Sequence, residues 1–189
     1  MAQIALDPAY RRVSVGEFLA MDFGGARAEL EDGLIYMMAG GNEQHARIST
    51  NIMTVLRTAL RGSGCRPYGS DFAALTADQT IRFPDVSVHC GDPGAPGNER
   101  KQLLGDPILV VEVLSPSTST HDQRVKLVEY RELDGVRDIL LVDPIGERVR
   151  HVRRTGANGW ADDWLDTGID IALPALGITL PHTEIFARD

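Results

Sequence analysis

Two carboxylates stand where a carboxylate needs a reason. Glu112 is the one charged residue in Ile108-Leu109-Val110-Val111-Glu112-Val113-Leu114. A run apolar at every other position reads as a strand covered on both faces. An unpaired carboxylate there costs several kcal/mol or takes up a proton, so Glu112 faces a cation, sits at an opening in the sheet, or lies on a strand that is not buried. Asp85 follows a proline in a second strand-like segment, Thr80 to Cys90. Adjacent strands lie about 4.8 Å apart, close enough for Asp85 and Glu112 to share one divalent ion. Oxygen-only ligation favours Mg²⁺ or Mn²⁺ over zinc. Plainer readings stay open: Asp85 as a turn or bulge acid bonded to nearby backbone, Glu112 as the partner of an arginine at the sheet end.

Lys126 comes next. Of 19 basic residues only Lys101 and Lys126 are lysines, and a lysine is a compact charge whose proton is tunable, unlike that of arginine. Lys126 lies on the helix expected after the Glu112 strand, with Tyr130 four residues on and on the same face. From there an ammonium can hang over the sheet end, stabilise a pentavalent phosphate or orient a water; the alternative is a surface ion pair with Asp122. Glu29 lies in a short strand and is either part of this acidic group or an ordinary hairpin acid. His45, at the first turn of a helix, is either a core-edge residue or a contact to a phosphate or to the groups around one. The sequence has no Gly-Lys-Ser/Thr phosphate loop, no Gly-x-Ser-x-Gly, no His-Glu-x-x-His and no Cys-x-x-Cys, and nothing in it indicates a nucleotide cofactor.

The elements that must position these groups follow from pattern. Residues 1–13 read as a lead-in and 14–189 as one domain. Ser14 with Glu17 predicts a capping box for a short helix with Phe18, Leu19 and Met21, ending near Gly24-Gly25. Ala28–Glu31 and Leu34–Met38 flank Asp32-Gly33, a hairpin signal. Asn42 caps a helix to about Arg61, with Ile48, Ile52, Val55, Leu56, Ala59 and Leu60 on its apolar face. Cys65–Leu75 and Thr80–Cys90 read as strands about a turn at 76–79; paired there, they set Cys65 opposite Cys90. Pro84 suggests an edge or a bulge. Residues 91–97 read as a loop. The central strand spans 107–114, a helix 119–133 carries Val125, Leu127, Val128 and Leu133 inward, and Asp138–Val142 is a second buried strand, giving a crossover between parallel strands. Glu147–Arg153 alternates near an edge, short strands follow, and a last turn falls around 183–186. The order predicts a mixed α/β domain with helices on both sides of one sheet.

A chain of 189 residues can bury a sizeable core, and 43% hydrophobic with 24% charged residues is ordinary for a globular protein. The net charge of −8 argues against a broad basic nucleic-acid surface, though not against a nucleic-acid enzyme whose acids bind metal. No stretch approaches the roughly 20 apolar residues that span a bilayer, and Met1–Tyr10 lacks the pattern of a secretory signal. We therefore expect a cytoplasmic protein, with Cys65 and Cys90 as free thiols.

Phe83-Pro84-Asp85-Val86-Ser87-Val88, Pro107 to Thr118 with Glu112-Val113-Leu114-Ser115-Pro116-Ser117, then Asp122, Lys126 and Tyr130, then Leu141-Val142-Asp143-Pro144 together resemble the Uma-type restriction endonuclease family of the PD-(D/E)XK nuclease superfamily. Glu29 to Gly33, His45 and Leu173 to Gly177 match as well, so the resemblance spans about residues 14 to 186. It implies a restriction-endonuclease-like mixed sheet flanked by helices. It implies that Asp85 and Glu112 bind a catalytic Mg²⁺ or Mn²⁺ with the Val113 carbonyl as a further ligand, and that Glu29 completes the site. The superfamily lysine would fall at Leu114; the family's lysine moved to the following helix corresponds to Lys126. The expected protein is a Mg²⁺-dependent DNA endonuclease and a homodimer, since two active sites are needed to cut both strands concertedly. The rival expectation is a catalytically silent nucleic-acid- or protein-binding module of the same fold.

Overall fold

Ser14 starts the first element as its spacing predicts: its hydroxyl accepts the Glu17 amide while the Glu17 carboxylate accepts the Ser14 amide, a full capping box on α1 (Val15–Leu19). The helix is shorter than expected, and Met21 lies beyond it, exposed. The computed structural model describes residues 11–38, 40–115 and 122–188. Most of the lead-in, the Pro116–Thr118 breaker and the expected helix start at 119–121 lie outside them.

Asp32 and Gly33 both adopt positive φ, as a two-residue hairpin turn between right-twisted strands requires. They join β1 (Ala28–Glu31) to β2 (Leu34–Met37). Asn42 caps α2 (Glu43–Ala59) by accepting the His45 amide. Ile48, Ile52, Leu56 and Leu60 are buried along one side of this helix, whereas Ala59 faces solvent.

The expected pair of long strands divides. Cys65–Leu75 becomes β3 (Cys65–Gly69) and β4 (Ala74–Ala77); Thr80–Cys90 becomes β5 (Thr80–Arg82) and β6 (Val86–Cys90). The break falls at Phe83-Pro84-Asp85, where proline has no amide for a ladder. The inner halves join a four-stranded sheet of order β2-β1-β5-β4, and the outer halves join a six-stranded sheet, so there is not one sheet but several. The six-stranded sheet runs β10-β9-β8-β7-β6-β3, with β7 (Leu109–Val113), β8 (Asp138–Asp143), β9 (Arg148–Arg154) and β10 (Trp160–Leu165). β7 and β8 are parallel, as the crossover predicts. β11 (Ile171–Leu173) and β12 (Ile178–Leu180) form a separate hairpin before α4 (His182–Ile185).

Cys65 does fall opposite Cys90 in the β3–β6 register, and the two are joined as a disulfide. The expectation of free thiols is thereby corrected: cross-strand neighbours have their Cβ atoms within bridging reach.

Within the described residues the crossover helix runs as a π-helical turn, Asp122–Lys126, and continues as α3 (Leu127–Glu132). Its inward residues are Leu127 and Tyr130, with Leu133 just after; Val128, expected inside, is 54% exposed. β7 alternates between two cores. Leu109, Val111 and Val113 face the cluster beneath α2, while Val110 and Leu114 face the cluster beneath α3. Period-2 alternation puts Glu112 on the α3 side with them. A third cluster under α1 supports the smaller sheet. Among the described residues no helix is long and apolar enough to cross a membrane.

Candidate functional site

β6 and β7 pair with Val86 opposite Val111, and one further register step sets Asp85 opposite Glu112. The ladder stops there. The Asp85 side chain takes over from the backbone: its Oδ2 accepts the Val113 amide at 2.7 Å. The bulge-acid reading thus holds in part, but the backbone group Asp85 engages lies 28 residues away, on the Glu112 strand. His45 Nε2 is 3.1 Å from the same Oδ2. Its ring fits because residue 41 is glycine: a Cβ at Gly41 would lie 2.7 Å from His45 Nδ1.

Glu112 is 4% exposed. Its Oε1 accepts the Tyr130 hydroxyl at 2.7 Å and lies 3.4 Å from Lys126 Nζ. Lys126 is itself 5% exposed, buried rather than at the surface, and its Nζ is 3.0 Å from Glu29 Oε1. The buried-charge objection raised by Glu112 is thus answered by a lysine rather than an arginine. Leu114, where a superfamily lysine would stand, is buried under α3 and donates its amide to the Val142 carbonyl.

Tyr130 is wholly buried. Burial, then the Glu112 and Glu29 charges, hold its phenol well above the usual tyrosine range, so it stays a donor to Glu112. The structure therefore brings together Glu29, Glu112, Lys126 and Tyr130 in one contact group, and Asp85 with His45 in another. The Val113 amide and the β6–β7 register connect the two.

Sequence reasoning missed the residue behind this group. Arg82 is 1% exposed, one register step from the Leu30–Ile81 pair and so opposite Glu29. Its guanidinium meets Glu29, Glu31 and Glu129 at 2.7–3.1 Å. Burial works against the Arg82 charge, but Glu129, Glu29 and Glu31 outweigh it and hold its pKa above the ordinary arginine value. The available signals were Glu29 and Glu31 two apart on one strand face and Glu129 one turn past Lys126. Such an excess of acid on half-apolar segments demands a second cation.

Comparison with known proteins gives a consistent result. Residues 15–181 match the profile of the family Uma2, described as "Putative restriction endonuclease". The uncharacterized protein slr1290 of Synechocystis sp. is 36% identical over 135 residues, covering 70% of this chain and 68% of that protein. The uncharacterized protein sll1609 of the same organism is 27% identical over 71% of this chain and 76% of its own length. The crystal structure of "a putative nuclease belonging to DUF820" from Anabaena variabilis superposes with a TM-score of 0.75 at 19% identity, over 92% of this chain and 97% of that one. At that identity the likeness concerns the fold, which is nuclease-like mixed α/β.

Proposed function

The chain belongs to the Uma2 restriction endonuclease family, and from that membership we propose that it is a metal-dependent DNA endonuclease whose reacting groups are Asp85, Glu112 and Lys126. The observation that carries this reading is the pairing of Asp85 with the Glu112 strand, on the face from which Lys126 arrives. The donor chemistry fits a hard divalent ion. Two carboxylates and the Val113 carbonyl are oxygen donors, and Mg²⁺ commonly keeps several waters beside one or two carboxylates. Among the described residues no group of three His, Cys, Asp or Glu side chains forms a ready metal cage.

When bound, such an ion would supply a water deprotonated near neutral pH and a sink for charge on the phosphate. The chain's own groups do the rest. Val113 N–H and His45 orient the Asp85 carboxylate. Tyr130 orients Glu112 and keeps one of its oxygens occupied. Lys126, buried between Glu29 and Glu112, brings a positive charge to where negative charge grows on a phosphodiester. Glu29 holds that lysine. One such site nicks one strand; cutting both strands in one encounter takes two copies.

A second reading, a silent binding module of the same fold, draws on one observation: Lys126 already compensates Glu112 and Glu29 within the protein. The two readings part on a cleavage assay with plasmid and linear DNA in Mg²⁺ or Mn²⁺. The nuclease reading expects metal-dependent nicking that falls by about 10²–10³-fold or more in Asp85→Ala and Glu112→Ala, both still folded. Absence of cleavage in every metal and sequence context, or unchanged cleavage in both variants, rejects it.

A further inference from the structure

We propose that Arg82 is a positioning residue: it clamps Glu29 and the Lys126-bearing helix at once, and so fixes where the Lys126 ammonium sits. The consequence for rate rests on the nuclease reading; the clamp does not.

The geometry is that of a two-sided grip. On the helix side, Arg82 Nε and Nη2 bind both oxygens of Glu129 at 2.8 and 2.7 Å, the bidentate fork that guanidinium offers and ammonium cannot. Glu129 lies three residues after Lys126, within one helical turn. Thr76, buried at the β4–β5 register shift, donates a further bond to Glu129 at 3.1 Å; a bulge re-aims a side chain in this way. On the sheet side, Nη1 binds Glu29 Oε2 at 3.1 Å, and Nη2 binds Glu31 at 2.9 Å. The other Glu29 oxygen meets Lys126 Nζ and the Phe83 amide. Arg82 therefore holds both the element that carries the lysine and the acid that faces it.

The charges give the clamp its effect. Glu29, Glu31, Glu112 and Glu129 surround Arg82 and Lys126. Take Arg82 away, and Glu29 and Glu129 each lose a cation. Lys126, 3.0 Å from Glu29 and 3.4 Å from Glu112, then sits on a helix no longer tied to the sheet and beside an acid no longer held in place, so its ammonium moves out of its buried position. A lysine at position 82 keeps one charge but cannot span carboxylates on three sides.

Arg82→Met alone strands buried acids, so the informative variant is Arg82→Met with Glu129→Gln, which removes one charge of each sign; Arg82→Lys is the conservative comparison. With only two lysines in the chain, amine acylation read by mass spectrometry reports Lys126 against Lys101 as internal control. The clamp predicts that Lys126 becomes several-fold more reactive relative to Lys101 in the folded double variant, with Arg82→Lys intermediate. It also predicts that DNA cleavage loses kcat by about 10–100-fold with KM within about threefold, and that the same change costs nothing further in a Lys126→Met background. Unchanged Lys126 protection in the folded double variant overturns the proposal, as does an equal loss of kcat in both backgrounds, the mark of a merely structural residue. If the double variant does not fold, Arg82→Lys decides by the same labelling: greater Lys126 reactivity supports the clamp, full protection overturns it. A wild-type protein that cuts nothing counts against the nuclease reading alone, and the labelling still decides the clamp.

Discussion

Asp85 accepts the amide of Val113, the residue after Glu112 on the neighbouring strand, at 2.7 Å. A side chain here does the work of a missing ladder bond, at the point where proline ends the pairing. The strand that carries one acid thereby fixes the rotamer of the other. Two carboxylates held in this way lose little freedom when they bind an ion, which is the sense of preorganisation.

His45 supports this arrangement at the same Asp85 oxygen, at 3.1 Å. His45→Ala is expected to lower cleavage by about 10–100-fold without abolishing it, the usual cost of losing a group that orients a ligand. Gly41→Ala should reproduce part of that loss, since its Cβ would meet the His45 ring. Steady-state kinetics on the two variants checks both. A Gly41→Ala protein with full activity would mean that the ring position does not matter.

Tyr130 gives a pH signature. Its phenol is held well above the ordinary tyrosine value by burial and by Glu112. The stability it contributes is therefore complete below the ordinary range near pH 10 and is lost as pH rises from there through the raised value. Tyr130→Phe should cost about 2 kcal/mol at neutral pH, the scale of a hydrogen bond to a charged group. The variant should also show a shallower loss of stability above pH 10. Denaturant unfolding at pH 7 to 11 measures both quantities.

The Cys65–Cys90 bridge closes a 25-residue separation. The chain-entropy relation gives about 3.5 kcal/mol for a loop of that size. Reduction, or Cys65→Ser with Cys90→Ser, should lower unfolding stability on that scale and leave cleavage intact, because the bridge lies at the end of β6 remote from Asp85. Denaturation with and without reductant, beside a cleavage assay, checks it. Loss of activity at unchanged stability would contradict it.

Local signals were the most legible part of the sequence. Ser14 with Glu17, Asn42, Asp32-Gly33 and the Cys65–Cys90 register each depend on residues near in sequence or on simple alternation, and each appears where expected. The division of the long hairpin between two sheets was hinted at only by Pro84, because strand propensity does not say which partner a strand will find. Arg82 was missed for a similar reason, although the excess of acid around it called for a second cation. An arginine in a short strand reads as solvent-facing until a helix closes over it, and that closure is tertiary. The exchange of Val128 for Tyr130 on the inner face follows from ordinary helical spacing: Leu127, Tyr130 and Leu133 lie three apart on one side and Val128 nearly opposite, so an expectation from apolar type alone misplaced it. Asp85, Glu112 and Lys126 stood out because each breaks its local pattern, and sites are where such breaks are expected.

The most direct test of the account is the anomalous difference map of a crystal soaked in Mn²⁺. The account predicts one strong peak per chain in contact with both Asp85 and Glu112, absent from crystals of Asp85→Asn. A peak elsewhere, or none at that position in the wild-type protein, would contradict it.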